Sequence, residues 1–254
     1  TCYYIERSKF PVQTYLDWAK NLLSNVNNFN LVIFVNKYSQ PYIEKIINKY
    51  NNKIKLIVKE YEEFLTYNFK EKWIQNHTKN ILKKDIDWKI SMLYCEKINF
   101  VKETLQKKYF DTEFYGWCDI GYFRCNQENL PYEQIKNWGL SHNLNKTDVF
   151  YAQVCSDNEL LALRNQFLKT GVIEPIKGTL SIAGGFFVTY KNNLRGWWAS
   201  YYNLLINYLN TNKLVKDDQV IILDCFFRHP TKFKLIKQKN GNYDKWFAFD
   251  TFLL

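Results

Sequence analysis

Two short apolar segments near the start of the chain constrain its fold more than any other feature. Leu31–Val35 reads Leu-Val-Ile-Phe-Val, and Ile54–Val58 has the same character apart from one lysine. Such runs are typical of strands that are buried on both faces, as they are in parallel sheets. Between them, a helix-like pattern begins at Pro41 and places Ile43 and Ile46 on one face. Strand, helix and strand in this order predict a parallel α/β sheet.

The alternation continues along the rest of the chain. A first strand is predicted at residues 1–5, and an amphipathic helix follows over Val12–Leu23. Later strands are predicted at Phe114–Cys118, 149–154, 180–188 and Phe233–Ile236, and helices within 62–110, 158–168, 194–209 and 215–227. Only 9 Gly and 5 Pro are present, with no linker-like segment, so the 254 residues favour a single domain. The predicted fold class is α/β, with a mixed, mostly parallel sheet flanked by helices.

The charge balance indicates which ligands the surface attracts. The chain has 35 Lys and Arg against 25 Asp and Glu, which gives a formal charge of +10. Such a charge favours anionic ligands, among them nucleotides and nucleic acid. The lysines are scattered, form no basic tail and accompany no nucleic-acid recognition motif. We therefore expect no nucleic-acid partner; that alternative would show steep salt-dependent binding to generic DNA or RNA.

The cysteines indicate a reducing compartment. None of the six lies in a Cys-x-x-Cys pair, no histidine cluster completes a zinc site, and most lie in apolar runs. They are predicted to be reduced core residues. No apolar run reaches the ~20 residues that span a bilayer, and no signal peptide is visible. We expect a cytoplasmic protein without a transmembrane segment, and the sequence leaves its oligomeric state open.

Several enzyme classes lose their main support because their sequence motifs are missing. The chain contains no Gly-x-Gly-x-x-Gly segment and no phosphate loop, which argues against dinucleotide and ATP binding of the usual kinds. The nucleophile elbow Gly-x-Ser-x-Gly is also missing, which argues against an α/β-hydrolase.

Asp119 is the first candidate functional residue. It ends the strand-like segment Phe114–Cys118 and is followed by Gly121 and Arg124. Ligands of open α/β sheets bind at the carboxyl ends of the strands, where a carboxylate can hold a divalent cation together with diphosphate oxygens and water. Gly121 would let the backbone approach the ligand, and Arg124 could neutralise a phosphate. The alternative is a turn that ends the strand, with Arg124 as the ion-pair partner of Asp119.

Two later pairs of residues are further candidates. Gly184 and Gly185 interrupt a strand, so they mark either an ordinary bulge or a close approach to a ligand such as a sugar ring. Asp217 and Asp218 precede a helical pattern, and one of them is expected to cap that helix. The other would face the cleft and orient or deprotonate a hydroxyl group, so both are candidate catalytic residues.

Three longer stretches carry a resemblance to a known family. They read INFVKETLQKKYFDTEFYGWCDIGYFR, GGFFVTYKNNLRGWWASYYNLLINYL and KDDQVIIL. In these motifs the chain resembles the HtrL/YibB-like family over residues 3–227. That family is similar to glycosyltransferases of the GT-A type, which are linked to glycan and surface polysaccharide synthesis. The resemblance implies a GT-A-like, Rossmann-type sheet, with a nucleotide-binding half at 1–118 and a donor-sugar and acceptor half at 119–254.

The resemblance also implies a cofactor at Asp119. Such enzymes hold a divalent metal, Mn²⁺ or Mg²⁺, and the nucleotide diphosphate with an Asp-x-Asp motif at this position. Here Gly121 replaces the second acid, so Asp119 is the only direct carboxylate ligand that this turn offers. Arg124 or a lysine would help to stabilise the charge of the departing diphosphate.

The remaining site residues follow from the same resemblance. Gly184 and Gly185 match the segment that faces the donor sugar and the acceptor. Asp218 and Gln219 match the helix start that faces the acceptor, and Arg7 lies where a nucleotide base or phosphate would be met. The implied activity is glycosyl transfer from a nucleotide sugar, a UDP-sugar in preference to a GDP-sugar, to a hydroxyl acceptor.

Two points stay open at this stage. Asp218 would act as the base in an inverting reaction, and would only position the acceptor in a retaining one. The alternative function is a catalytically inactive relative that binds a glycan or nucleotide, and the glycine at position 121 is its best support.

Overall fold

The structure is a computed structural model that describes residues 1–5, 10–47, 52–124, 143–173, 181–238 and 244–253. The strands in these residues are β1 (Cys2–Tyr3), β2 (Leu31–Val35), β3 (Ile54–Val58), β4 (Phe114–Cys118), β5 (Val149–Gln153), β6 (Ile182–Tyr190) and β7 (Phe233–Ile236). The helices are α1 (Val12–Leu23), α2 (Gln40–Ile47), α3 (Lys70–His77), α4 (Trp88–Gln106), α5 (Asp157–Thr170), α6 (Lys191–Asn210), α7 (Asp218–Arg228) and α8 (Phe249–Phe252). None of these helices combines the length and the apolar character needed to cross a membrane.

The strands form two sheets. The first has the order β1-β2-β3 and is parallel throughout. The second has the order β4-β6-β5-β7, in which β6 runs antiparallel to both of its neighbours and β5 is parallel to β7. The predicted class, a mixed α/β fold with helices around mostly parallel strands, is confirmed: three of the five pairings among the described strands are parallel. The direction of β6 is the feature that the sequence pattern did not define.

The first sheet forms as the apolar runs predict. All five residues of β2 are buried, because β1 and β3 cover its edges and helices cover its faces. Ile33 and Val35 pack in one apolar cluster with Leu22 of α1 and Ile43 of α2. Strand β3 is an edge strand: Lys55 and Val58 are exposed and its other residues are only partly buried, so the prediction that it is buried on both faces is wrong.

A second apolar cluster joins the other sheet to helices α4, α6 and α7. Trp117 of β4 and Phe187 of β6 are buried in it, and Phe100 of α4 stacks on Trp117 at 6.0 Å between ring centres. The buried carboxylate of Glu96 on α4 accepts hydrogen bonds from Leu65 N (2.7 Å) and from nearby polar side chains. Burial raises the pKa of Glu96, and these hydrogen bonds oppose the rise. These hydrogen bonds join helix α4 to the segment around Leu65.

Several predicted boundaries differ from the observed ones, and two of the differences have a clear structural description. Residues 62–110 do not form one continuous helical block: short 3-10 turns at Tyr61–Glu63 and Tyr67–Phe69 precede α3 and α4. Helix α7 begins at Asp218 and not at residue 215, because the carboxylate of Asp217 accepts a hydrogen bond from Gln219 N and starts the helix there.

Candidate active site

The backbone at the end of β4 fixes the direction of Asp119. Its N–H donates to Gly185 O at 2.8 Å, which extends the ladder between β4 and β6 by one residue. Its carbonyl then accepts from Tyr122 N at 2.9 Å, which closes a turn. The carboxylate of Asp119 therefore lies at the carboxyl end of β4, the edge at which α/β sheets bind ligands.

A cleft of about 590 Å³ lies in front of this edge, and Asp119 lines it. Small-molecule sites have volumes of roughly 300–1,000 Å³, so the cleft has the size of a ligand site. The side chain of Asp119 is 42% exposed there. Aromatic side chains form much of the wall: Tyr3, Tyr15, Trp18, Tyr94, Trp117 and Phe247. An aromatic wall around a few charged groups is typical of a binding pocket.

Lys97 of α4 connects the candidate acids, and the sequence analysis did not identify it. Its Nζ lies 3.1 Å from Asp119 Oδ1 and 3.2 Å from Asp218 Oδ2. It also donates to the carbonyl of Gly184 at 2.9 Å. It donates as well to the other Asp119 oxygen, Oδ2, at 3.4 Å, so its three N–H groups are shared among Asp119, Asp218 and Gly184. Trp117 Nε1 donates to Asp119 Oδ1 at 2.6 Å, which orients this carboxylate further.

The side chains in this cluster differ in burial and therefore in ionisation. Burial alone would lower the pKa of the Lys97 ammonium, but the charges of Asp119 and Asp218 outweigh burial and raise that pKa. Burial raises the pKa of the Asp218 carboxyl to about 7; the charge of Lys97 opposes the rise, and those of Asp217 and Asp119 add to it. Asp218 therefore titrates near neutral pH, where a proton acceptor is effective.

Asp217 and Gln219 lie beside this cluster at the start of α7. Asp217 caps the helix, with its Oδ1 accepting from Gln219 N at 3.2 Å, and its Oδ2 pairs with Lys216 at 3.1 Å. One of the two adjacent acids thus caps α7, as the sequence indicates, and Asp218 faces Lys97. Gln219 lines the cleft.

Gly184 makes room for the carboxylate of Asp218, whereas a side chain on Gly185 would only touch that of Asp119. A Cβ on Gly184 would lie 2.5 Å from Asp218 Oδ2, and one on Gly185 would lie 3.4 Å from Asp119 Oδ2. The register between β5 and β6 also shifts at this point: Tyr151 pairs with Phe187, whereas Gln153 pairs with Ile182. The bulge that the sequence indicated is therefore present, whereas a close approach to a ligand stays a prediction.

Gly121 and Arg124 also line the cleft. A Cβ on Gly121 would lie 2.8 Å from Trp18 Cε3, so glycine is needed here because the ring of Trp18 packs on it. The guanidinium of Arg124 lies over the rings of Trp18 (5.9 Å) and Phe247 (5.3 Å). Among the described residues, the ion-pair partner of Asp119 is Lys97 and not Arg124. Arg7, the remaining candidate, lies outside the described residues.

The donor atoms of this cluster do not fit a divalent metal ion held between two carboxylates. Mg²⁺ needs oxygen ligands at about 2.0–2.1 Å, and Mn²⁺ is held by the same kinds of oxygen. The ammonium of Lys97 already lies between Asp119 and Asp218, at distances near 3.1 Å and 3.2 Å. Within the ranges that the structure describes, no group of three His, Cys, Asp or Glu side chains could hold a metal ion. A divalent ion at this cluster would therefore have to bind on the exposed side of the Asp119 carboxylate.

A second cavity, of about 460 Å³, lies between β2 and β4. Its lining is mainly apolar, with Phe34, Phe100 and Val188 among its residues. It contains none of the acids or lysines of the Asp119 cluster, so the polar cleft is the better candidate for a catalytic site.

The structure is similar to that of mouse xyloside xylosyltransferase 1 in its apo form, with a TM-score of 0.51 and 12% sequence identity. The similarity covers 93% of this chain and 83% of that chain, so the two proteins share a fold. The chain belongs to the family described as "Bacterial protein of unknown function (HtrL_YibB)", whose model matches residues 4–253, and this confirms the family that the motifs indicated. No curated protein matches the chain.

The sequence contained a signal for Lys97. It lies four residues from Leu93 and four from Val101 along α4, and both of these are buried. Residues at this spacing share one face of a helix, so Lys97 places a charge on an apolar face. A lysine in such a position needs a buried anionic partner, and Asp119 and Asp218 supply two.

Proposed function

We propose that this protein is a glycosyltransferase that moves a sugar from a nucleotide-sugar donor to a hydroxyl group of a glycan or other acceptor. We place it in glycan or surface polysaccharide synthesis. One observation carries the proposal: Asp119, Lys97 and Asp218 form a connected charged cluster at the floor of the 590 Å³ cleft, at the carboxyl end of β4. Strongly perturbed ionisable groups in a cleft are typical of catalytic sites.

The donor would bind along the aromatic wall. Trp18 is partly exposed and offers a flat surface for a nucleotide base or sugar ring, and Arg124 lies over its ring. A guanidinium in this position can neutralise the oxygens of a diphosphate. This arrangement supports an anionic nucleotide sugar as the donor. That the donor is a UDP-sugar in preference to a GDP-sugar stays a prediction.

The acceptor hydroxyl would meet Asp218. In the transfer step, the bond between the anomeric carbon and the diphosphate oxygen breaks, and the departing nucleoside diphosphate takes the electron pair. The acceptor oxygen bonds to the same carbon, and its proton passes to Asp218. A carboxylate with a pKa of about 7 is suited to this role near neutral pH. An inverting reaction requires this base, whereas in a retaining reaction Asp218 positions the acceptor.

A divalent metal at Asp119 stays a prediction. The exposed carboxylate supports it, and the contact with Lys97 opposes it because two cations repel at this distance. Nucleotide affinity of the wild type and of Asp119→Asn, measured with and without Mn²⁺, tests the prediction. Equal affinity in all four measurements would remove Asp119 from the donor site.

The proposed activity is tested with a panel of UDP- and GDP-sugars. We expect release of the nucleotide from at least one donor, because water can replace a missing acceptor in such reactions. Asp218→Asn should retain donor binding and lose turnover. Asp157→Asn is the matched control, since it makes the same chemical change at an exposed ion pair with Lys237.

Two outcomes separate the alternatives. Nucleotide binding without turnover of any donor or acceptor would identify a binding protein that has kept the fold. Neither binding nor turnover with any nucleotide sugar in the panel would remove the proposed function.

A further inference from the structure

The position of Lys97 has a consequence for the kind of cation that this site uses. The side chain is only 12% exposed, and that of Asp218 is 7% exposed. The ammonium therefore lies at the buried floor of the cleft, between the more exposed carboxylate of Asp119 and the nearly buried carboxylate of Asp218, both of which line the cleft. It also donates to the Gly184 carbonyl, so its three N–H groups are shared among three residues.

We propose that the ammonium of Lys97 is the built-in cation of this site, and that it takes the place in which a divalent ion would bridge Asp119 and Asp218. This inference rests on the proposed function only where it gives Lys97 a role in catalysis. Its metal-binding test does not depend on glycosyl transfer.

Geometry and charge both favour the lysine over a bridging metal ion. A metal ion would need the oxygens of Asp119 and Asp218 roughly 1 Å closer than the ammonium holds them. Helix α4 fixes the backbone of Lys97. The Lys97 ammonium also lies 5.7 Å from the ring centre of Tyr94 and 5.9 Å from that of Trp117. These rings attract a cation, which adds to the cost of displacing it.

The built-in cation has two effects on the site. It offsets one of the two negative charges that would repel a diphosphate, so the cleft can admit an anionic donor. It also holds Asp119 and Asp218 in one fixed arrangement, although two carboxylates this close would otherwise repel. Lys97 is therefore a positioning residue for both acids.

Mn²⁺ alone, without nucleotide, is the probe that tests the inference. Lys97→Met keeps the length of the side chain and removes its charge, so it leaves two facing carboxylates. We expect Lys97→Met to bind one Mn²⁺ roughly tenfold or more tightly than the wild type, measured from the electron paramagnetic resonance signal of the free ion. Lys97→Arg should behave as the wild type, because it restores the positive charge. The double variant Lys97→Met with Asp218→Asn should bind Mn²⁺ no more tightly than the wild type, because one of the two carboxylates has then lost its charge.

Two results would overturn the inference. One is equal Mn²⁺ affinity in the wild type and in Lys97→Met. The other is a gain in Mn²⁺ affinity that persists when Lys97→Met is combined with Asp218→Asn. If Lys97→Met fails to fold, the wild type and Asp218→Asn decide the question. Tight Mn²⁺ binding by the wild type that Asp218→Asn abolishes would contradict the inference, because an ion that bridges the two carboxylates needs both of them. Mn²⁺ binding that is weak, or that Asp218→Asn leaves unchanged, would support it. Failure of the proposed function is a separate result, because it appears as a lack of donor turnover and leaves Mn²⁺ binding unchanged.

Discussion

Replacing Gly184 with alanine is the most direct test of the site geometry. The new Cβ would lie 2.5 Å from Asp218 Oδ2 and 2.7 Å from Oδ1, whereas ordinary contacts begin at 3.4 Å. The carboxylate must therefore move by about 0.9 Å, since the backbone of β6 is held between two strands. Gly184 is not among the described residues with a positive φ, so steric contact alone sets the cost.

The size of the effect follows from this displacement. Overpacking a buried position costs roughly 1–3 kcal/mol, which for a chain of this length lowers the melting temperature by roughly 2–12 °C. A shift of about 1 Å in a catalytic group costs on the order of a hundredfold in rate. We therefore expect Gly184→Ala to fold, to melt at a lower temperature and to lose most of its glycosyl transfer. Thermal unfolding by circular dichroism and donor turnover measure the two effects.

Gly196→Ala is the matched control for this change. Gly196 lies inside α6, and a Cβ there would meet no heavy atom within 4 Å. Alanine stabilises a helix interior by about 1 kcal/mol relative to glycine, so this variant should melt slightly higher with unchanged activity. In an Asp218→Ala background, Gly184→Ala should cost little stability because the clashing carboxylate is gone. An equal loss of stability in both backgrounds would refute the steric argument.

Three further predictions concern single carboxylates. Asp119→Asn should keep the fold and weaken the part of nucleotide binding that depends on Mn²⁺, measured by calorimetry with and without the ion, because it removes the carboxylate that would hold the ion. Turnover by the wild type should rise with pH through about 7, where Asp218 loses its proton. Asp218→Asn should remove this rise and lower the turnover rate by roughly a hundredfold or more. Asp250→Asn should stabilise the fold by roughly 1–3 kcal/mol near pH 8, because burial raises the pKa of Asp250 to about 8 and one of its oxygens is buried without a hydrogen-bond partner.

The sign of the last effect follows from the direction of the pKa shift. A raised pKa in the folded state favours the protonated carboxyl, so Asp250 costs no stability below its ordinary pKa of 3.8. The cost grows as the pH rises towards about 8 and is constant above that. The gain from Asp250→Asn should therefore increase between pH 4 and pH 8 in denaturant titrations. A gain that does not change with pH would contradict this assignment, and a pH–rate profile unchanged by Asp218→Asn would contradict the proposed base.

The sequence by itself determined the local elements. Period and composition define β2, β3 and the helices that follow them, because each depends on residues only a few positions apart. The cap at Asp217 is equally local, since its carboxylate binds the backbone two residues later. The strand that ends at Asp119 was predictable for the same reason, and so was the α/β class.

Only the tertiary structure decided how these elements meet. Lys97 contacts Gly184, which is 87 residues away, and Asp218, which lies further along the chain, so no local pattern could join them. The antiparallel direction of β6 is also a long-range property, and it brings Gly184 and Gly185 against the two carboxylates. The sequence therefore defined which acids were available, while the packing of α4 against β4 and α7 decided that a lysine lies between them. The physical reason is that secondary structure depends on neighbours in the chain, whereas the charge balance of a buried site depends on neighbours in space.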